Sequence, residues 1–469
     1  MADKKYDFVV VGAGPGGYVS AIRAAQNGLK TAIIEKDNLG GVCLNWGCIP
    51  SKVLLYAAEL LDNIKRADHY GIELDCEPKW NTEKLRKKKD EVVKQLTGGV
   101  KILLEKNKVD IIRGVARFES ANSLSVTDED KNKGIINFES AVVATGASPI
   151  SIPGVEIDRE NIITSKEALE VDKIPDKFGI IGGSFIGCEM ADVYHALGSQ
   201  VTIIEMLPSL MFNADEEISS TIGRAFKKKK IELKLSTKVK EAKITDGGVE
   251  LTVENRNKEE EKLKFDKVLA AIGMKPNSNN LGLEKAGVEY DEKGWIKVNN
   301  RTQTSVENIY AIGDVVGGAL LAHKASHEGL VAADVAAGKP SAADFEHVPY
   351  AVFTDPEISS VGLTEQQCKD QGIKYKVGKF PYRALGKAIG MEKIDGFVKV
   401  IAEEESDDLL GMHIIGPHAS DLIGEAVAVM EFRGASEDIA SLIHIHPTLT
   451  EAIGEAAMNV FNKAIHIIN

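Results

Sequence analysis

One unit occurs twice in this chain, and it constrains the fold more than any other feature. Tyr6 to Val11 reads as a buried strand, followed by Gly12-Ala13-Gly14-Pro15-Gly16-Gly17. A helical stretch from Tyr18 to Asn27 comes next, with Gly28 placed to close it in a left-handed cap. Lys30 to Ile34 reads as a second strand, and Glu35 stands at its end. The same order returns as strand Lys177 to Ile181, turn Gly182 to Gly187, helix Cys188 to Leu197, strand Gln200 to Ile204, then Glu205. The interval from Gly12 to Glu35 equals that from Gly182 to Glu205. Strand, G-x-G-x-x-G, helix, strand and acid in register form a dinucleotide-binding signature. Gly12 allows the tight turn, and Gly14 lets backbone approach a pyrophosphate at the helix N-terminus. Gly17 lets helix and strand pack closely, and Glu35 binds ribose hydroxyls. In the second copy Gly182, Gly187 and Glu205 hold matching places, while Ser184 replaces the middle glycine. Glu205 favours NAD over NADP, because a carboxylate repels a 2′-phosphate. No Arg or Lys follows it until Arg224.

Shortly after Glu35 comes Gly40-Gly41-Val42-Cys43-Leu44-Asn45-Trp46-Gly47-Cys48-Ile49-Pro50-Ser51-Lys52, ahead of an apolar helical run from Val53 to Leu61. On a straight helix a separation of five means ~7.5 Å of rise, and a disulfide wants its Cα atoms within about 7 Å. If Cys43 and Cys48 bond, the backbone between them is irregular, and Gly47 and Pro50 permit that. A packed pair of unrelated thiols or half a zinc site are the alternatives, although no further ligands follow nearby. A redox pair beside a dinucleotide unit implies a cofactor that exchanges electrons with a disulfide, most simply FAD. The second unit then takes NAD.

Thr82 to Lys106 reads as a long charged helix, and Val142 to Ala147 as an apolar strand that ends at small residues. Phe265 to Ile272, ending in Gly273-Met274, closes the second unit, with loops between Glu241 and Lys262 left unassigned. Asn308 to Val315 reads as a strand ending in Gly313-Asp314, ahead of a helical stretch from Leu320 to Ala337. Asp314 suits a ribityl or ribose hydroxyl, or simply a turn. The helix N-terminus near Leu320 would stabilise an anionic reduced flavin. From about Phe345 the texture changes to strands at 348–353, 376–380, 397–402 and 409–415, with helices at 421–432 and 450–464: an α+β layer with an antiparallel sheet. Between those helices stands Ile443-His444-Ile445-His446-Pro447-Thr448-Leu449-Thr450-Glu451. Proline keeps His446 extended, and Glu451 can accept from one ring nitrogen and leave the other as a base. Metal binding by two alternate histidines, or a structural role, are the other readings.

A length of 469 residues gives a prior of about three domains. A formal charge of -13 argues against nucleic acid. No apolar run reaches the ~18 residues of a membrane span. Five cysteines in so long a chain suit a reducing cytoplasm with one catalytic pair, leaving Cys76, Cys188 and Cys368 as packed or incidental thiols. The polar start, Met1 to Tyr6, does not read as a signal peptide. Lys87 to Lys89 and Lys227 to Lys230 read as solvated helix faces.

Together these motifs resemble the flavin-dependent pyridine nucleotide-disulfide oxidoreductases over the whole chain, and most closely the branch that oxidises dihydrolipoamide. The resemblance rests on Gly12 to Gly17 with Glu35, Gly40 to Lys52, Ala144-Thr145-Gly146, Gly182 to Glu189, Glu205, Gly313-Asp314, and His444 to Glu451. It implies two dinucleotide-binding (Rossmann-like) α/β domains and a C-terminal α+β dimerisation domain. The expected segments are 1–148 for FAD, 149–273 for NAD, 274–345 returning to the FAD site, and 346–469 as interface. It implies a Cys43–Cys48 redox disulfide, with Cys43 outermost, and His446 with Glu451 serving the other subunit of a homodimer. FAD would meet Lys52, Ala116, Thr145, Gly146, Gly313, Asp314 and Ala322. NAD would meet Glu189, Val239 and Gly273, and Lys52 would pair with Glu189. No metal is implied. The implied partner is a lipoyl-bearing acyltransferase or a glycine cleavage carrier protein. Ser184 and Met274 stand where the family usually has Gly and Arg. An NADPH-linked glutathione reductase is the runner-up, and it would need basic residues near Glu205.

Overall fold

Each glycine turn sits on its own sheet in the computed structural model, which describes residues 4–468. The first sheet runs Asp110–Arg113, Thr31–Glu35, Lys4–Val11, Lys133–Val143, Ser123–Thr127, Val115–Ser120, and Ile309–Ala311 also pairs with Lys133–Val143. Its pairs are parallel on the Lys4–Val11 side and antiparallel through Ser123–Thr127 and Val115–Ser120. The second sheet is wholly parallel, in the order Glu232–Lys234, Gln200–Ile204, Lys177–Ile181, Lys267–Ala270, Ile162–Ile163. Strands buried on both faces become continuous apolar runs. Phe8, Val9 and Val10 in one sheet and Phe178, Ile180 and Ile203 in the other are fully buried. Both helices after the glycine turns start earlier than their apolar pattern suggests, at Pro15 and Phe185, because turn residues form the first helical turn.

The chain packs as two compact units. One comprises 1–53, 83–150 and 272–345, the other 54–82, 151–271 and 346–469. Within the second unit, buried Lys399 joins 151–271 to the C-terminal sheet. Its Nζ lies 2.9 and 3.0 Å from the Asp215 carboxylate and 3.0 Å from Glu217, and it also meets Glu365. Asp215 caps the helix Glu216–Lys228 as well, accepting from the Glu217 N–H. Removing one partner of such a buried pair would cost about 3–5 kcal/mol, because the other charge is left stranded.

The C-terminal sheet is five-stranded and antiparallel, as expected, in the order Tyr350–Val352, Ile358–Gly362, Leu409–Ile415, Phe397–Glu403, Tyr375–Pro381. Several expectations need correction. The helix at 421–432 is two pieces, Ala419–Leu422 and Gly424–Glu431. The segment left unassigned forms a three-stranded antiparallel sheet, Lys238–Thr245, Gly248–Glu254 and Glu260–Phe265. The strand expected over 308–315 covers only Ile309–Ala311 and gives way to a 3-10 turn at Gly313–Val316, where Gly313 takes φ +72°. The lysine runs are not simply solvated. Lys89 is buried, and Lys229 bonds Asp192 at 2.7 Å and Asp355 at 3.3 Å.

Candidate active site

The two cysteines lie at a break between helices. Cys43 is inside the short helix Gly41–Trp46, and Cys48 is the first residue of the 18-residue helix Cys48–Lys65. Gly47 makes the break. A Cβ there would sit 2.9 Å from the Val42 carbonyl oxygen, so a side chain has no room. Pro50 does not distort the backbone as expected. It falls in the first turn of the second helix, where its missing N–H would have had no helical partner. Both cysteines are thiols here, with their sulfurs in hydrogen-bond contact. That bond, then burial and the neighbouring Cys48 charge, push the Cys43 thiol far above its usual range, against the pull of the Lys52 ammonium. Cys48, at a helix N-terminus, sits where a thiolate is stabilised. The remaining cysteines behave as read: Cys188 and Cys368 are buried and Cys76 is exposed.

The first glycine turn has the shape of a pyrophosphate cradle. Gly12 takes φ +104°, and a Cβ there would meet the Ala144 carbonyl oxygen at 2.3 Å. A Cβ on Gly17 would lie 2.0 Å from the Gly12 oxygen, so helix and strand touch through bare backbone. A Cβ on Gly14 would find nothing within 4 Å, which leaves space over the helix N-terminus for a ligand. The Glu35 carboxylate accepts from the Ala13 N–H and the Asp37 N–H, both at 2.7 Å. Glu205 repeats this brace on the Gly183 N–H at 2.6 Å and the Leu207 N–H at 2.8 Å. The sequence shows the acids but not this second duty.

The other residues expected to meet FAD lie in the same compact unit as the first turn. Thr145 donates its hydroxyl to the Asn277 carbonyl at 2.9 Å, and Gly146 accepts from the Asn277 N–H at 2.9 Å. Ala116 is buried on Val115–Ser120. Ala322 opens the helix Ala322–Ala336, whose N-cap, Leu321, offers no side-chain acceptor to the free N–H groups. Burial raises the Asp314 carboxyl, and nearby Glu328 adds to this while Lys324 opposes it. Sequence reasoning missed these two. Lys324 and Glu328 form a buried pair at 2.6 Å, and Glu328 also accepts from the Gly313 N–H at 2.6 Å. Their i,i+4 spacing was the available signal. The open space at Gly14, the acid at Glu35, the bare helix end at Ala322 and half-buried Asp314 fit an FAD-sized dinucleotide.

In the second turn, Ser184 is exposed and extended, at φ -94° and ψ -164°. Gly14 is similarly extended, so the position does not require glycine's conformational freedom. A Cβ on Gly187 would lie 1.9 Å from the Gly182 oxygen, repeating the close packing of the first unit. Glu189 is buried, and its Oε1 accepts from the Phe353 N–H at 3.1 Å. Val239 is buried in the three-stranded sheet. Gly273 belongs to the first unit, where its carbonyl accepts from the Ile150 N–H at 3.1 Å. Gly182 and Gly187 keep this turn tight and Glu205 braces it, a shape that suits a dinucleotide.

His446 lies on the loop before the helix Glu451–Asn459. Its Nδ1 is 2.7 Å from Glu451 Oε1, while Glu451 Oε2 accepts from the Thr448 N–H at 2.9 Å. Burial would raise the Glu451 carboxyl, but the His446 and Thr448 bonds outweigh it and hold it below the usual range. With Nδ1 occupied, Nε2 of the 81%-exposed ring is left for a reacting proton. Among the described residues no cluster of His, Cys, Asp or Glu could hold a metal ion, and no helix is long and apolar enough to cross a membrane.

Residues 6–329 match the family model for pyridine nucleotide-disulphide oxidoreductases, and residues 348–457 match the dimerisation domain of the same family. The chain is 43% identical to a dihydrolipoyl dehydrogenase of Haloferax volcanii, covering 99% of this chain and 98% of that one. It is 42% identical to the dihydrolipoyl dehydrogenase of Thermus scotoductus over 99% of this chain and all of that one (100%). Among solved structures, LpdA from Mycobacterium tuberculosis superposes with TM-score 0.89 at 25% identity, covering 96% of this chain and 99% of that one. An HOCl-induced flavoprotein disulfide reductase from Escherichia coli does so with TM-score 0.85 at 27% identity, covering 96% and 99%. Fold, sequence and both matched regions agree, and the chain belongs to the pyridine nucleotide-disulphide oxidoreductase family.

Proposed function

We propose that the chain catalyses the dihydrolipoyl dehydrogenase reaction, oxidising protein-bound dihydrolipoamide to lipoamide and passing hydride to NAD. The observation that carries the chemistry is the dithiol at the helix break, with Cys48 on a helix N-terminus and Cys43 in hydrogen-bond contact with it. The substrate class rests on the full-length relatives. In this reading 1–148 and 274–345 hold FAD, 149–273 holds NAD, and 346–469 supplies the contact of a homodimer. The partner is a lipoyl-bearing acyltransferase or a glycine cleavage carrier protein. A reducing cytoplasm suits a long chain with five cysteines and one candidate redox pair.

The chain's residues then act in order. His446, held through Nδ1 by Glu451, takes a proton from one substrate thiol. The resulting thiolate attacks the Cys43 sulfur of the oxidised pair, and Cys48 leaves as a thiolate at its helix terminus. The second substrate thiol displaces Cys43, which keeps that thiol's proton, and a lipoyl disulfide departs. Two substrate S–H bonds and one protein S–S bond have become one substrate S–S bond, a Cys43 thiol, a Cys48 thiolate and a protonated His446. Bound FAD would supply the link to NAD, accepting the electron pair from the dithiol side and yielding it as hydride. Glu35 and the Gly14 turn orient one nucleotide, and Glu205 and the Gly182–Gly187 turn orient the other.

The test is a paired assay on the purified yellow protein. Rapid NADH formation is expected from dihydrolipoamide with NAD, and no turnover from oxidised glutathione with NADPH. Cys48→Ser should keep its flavin and lose dithiol turnover by at least about a thousandfold. Glutathione activity alone, or normal dithiol turnover in Cys48→Ser, overturns the reading.

A further inference from the structure

A second histidine–carboxylate pair stands behind the first. His444 Nε2 lies 2.9 Å from Glu425 Oε1, and the ring is only 12% exposed, against 81% for His446. Glu425 belongs to the helix Gly424–Glu431. The other side of the ring rests on Gly454, where a Cβ would come within 2.9 Å of His444 Nδ1 and 3.0 Å of Cε1. Gly454 is three residues beyond Glu451 on the same helix, and residues three apart share a helix face. Ile443 and Ile445, on either side of His444, are 99% and 75% exposed. On the N-terminal side of His446, therefore, His444 is the side chain that turns inward and grips. On the C-terminal side the grip comes from Thr448, whose hydroxyl donates to the Ile445 carbonyl at 2.7 Å.

We propose that His444 is a positioning residue for dithiol oxidation: wedged between Glu425 and Gly454, it fixes the approach of the His446 loop and places a charge behind the His446–Glu451 pair. This inference rests on the dithiol-oxidising reading above. The groups that face His444 are Glu425 from one helix, Glu451 from the other, and the Leu442 carbonyl. The Glu425 hydrogen bond, against the pull of burial, makes His444 a stronger base than a free imidazole, and Glu451 adds to this. The folded value is raised, so the His444 charge is fully present below the unfolded value and is lost as pH rises through the folded one. While charged, it shares the field of Glu451 with the His446 ring.

Three variants of the full-length flavoprotein test this. His444→Ala removes grip and charge, and should lower kcat for dihydrolipoamide by about tenfold or more, since small misplacements of a catalytic base are costly. Flavin content and NADH oxidation by ferricyanide should stay at wild-type levels. His444→Gln keeps a donor near the Nε2 position, and should recover most of that rate with the KM for dihydrolipoamide unchanged. Gly454→Ala alters no titratable group and should lower the dithiol rate by pushing the ring. Undiminished rates in His444→Ala and Gly454→Ala overturn the proposal. So does a His444→Gln variant no faster than His444→Ala, or a dithiol loss matched by equal loss of the ferricyanide reaction. A wild-type protein that fails with dihydrolipoamide would instead sink the functional reading.

Discussion

The two glycine turns are alike in what braces them and unlike in what packs around them. Glu35 and Glu205 each spend two oxygens on backbone N–H groups of their own turn, with near-identical distances. The helix after the first turn then meets the helix Ala322–Ala336 through glycines. A Cβ on Gly16 would lie 2.7 Å from the Ala325 oxygen, and one on Gly329 would lie 2.5 Å from the Gly16 oxygen. The helix after the second turn instead buries acids. Glu189 accepts from the Phe353 N–H, Asp192 from the Asp355 N–H at 2.6 Å, and Lys229 bridges Asp192 and Asp355. Helices in backbone contact leave little room to breathe, which suits a cofactor that never leaves. A turn fronted by an exposed serine and anchored from behind by charges suits a co-substrate that comes and goes.

The sharpest way to break that contrast is to fill the same position in both turns. Gly17→Val drives a side chain into the Gly12 oxygen, should cost about 3 kcal/mol, and should yield colourless protein. Gly187→Val makes the matching clash with the Gly182 oxygen. Its protein should stay yellow yet resist reduction by NADH. Absorbance after gel filtration, followed by NADH titration, separates the two, and equal flavin loss in both would end the contrast. A milder probe replaces the acids. Glu205→Gln leaves one of the two braced N–H groups facing an amide NH2 and should raise KM for NAD about tenfold, since hydrogen bonds to charged groups contribute roughly 1.5–3 kcal/mol, with flavin retention unchanged. Glu35→Gln should do the reverse, releasing flavin on dilution while the KM for NAD holds. Ser184→Gly should have the smallest effect. It should lower stability by less than about 1 kcal/mol, measured by urea unfolding, and leave flavin content as it was. A larger loss would mean that Ser184 holds the turn.

Much of this was legible in the chain because glycine turns and fully buried strands write themselves plainly. The strands Lys177–Ile181, Gln200–Ile204 and Leu409–Ile415 and the helix Thr82–Lys106 end where their patterns end. The three-stranded sheet over 238–265 was hidden because its outward face is a lattice of Lys and Glu. Lys240 meets Glu254 at 2.9 Å and Lys262 meets Glu250 at 2.7 Å, so the charges read as loop while Val249, Leu251 and Val253 are buried beneath. At the site, the His446–Glu451 contact was legible from spacing, while the roles of that pair and of the cysteines came only with the family resemblance. The buried Lys324–Glu328 pair and the Lys399 cluster were not legible, because a charged residue carries no mark of burial until its partners arrive from elsewhere in the chain. In the sequence His444 reads only as the alternate partner of His446, in a metal pair or a structural role. Its grip depends on Gly454, whose lack of a side chain is easily passed over.

The double duty of Glu205 bears on how such a chain can change over generations. The residue that would exclude a phosphorylated nicotinamide dinucleotide is also the fastener of its own turn, through the Gly183 and Leu207 N–H groups. A single replacement that welcomes the extra phosphate would unfasten the loop that must receive it. A lineage moving toward that cofactor therefore has to acquire a substitute brace first, and only afterwards can it surrender the acid.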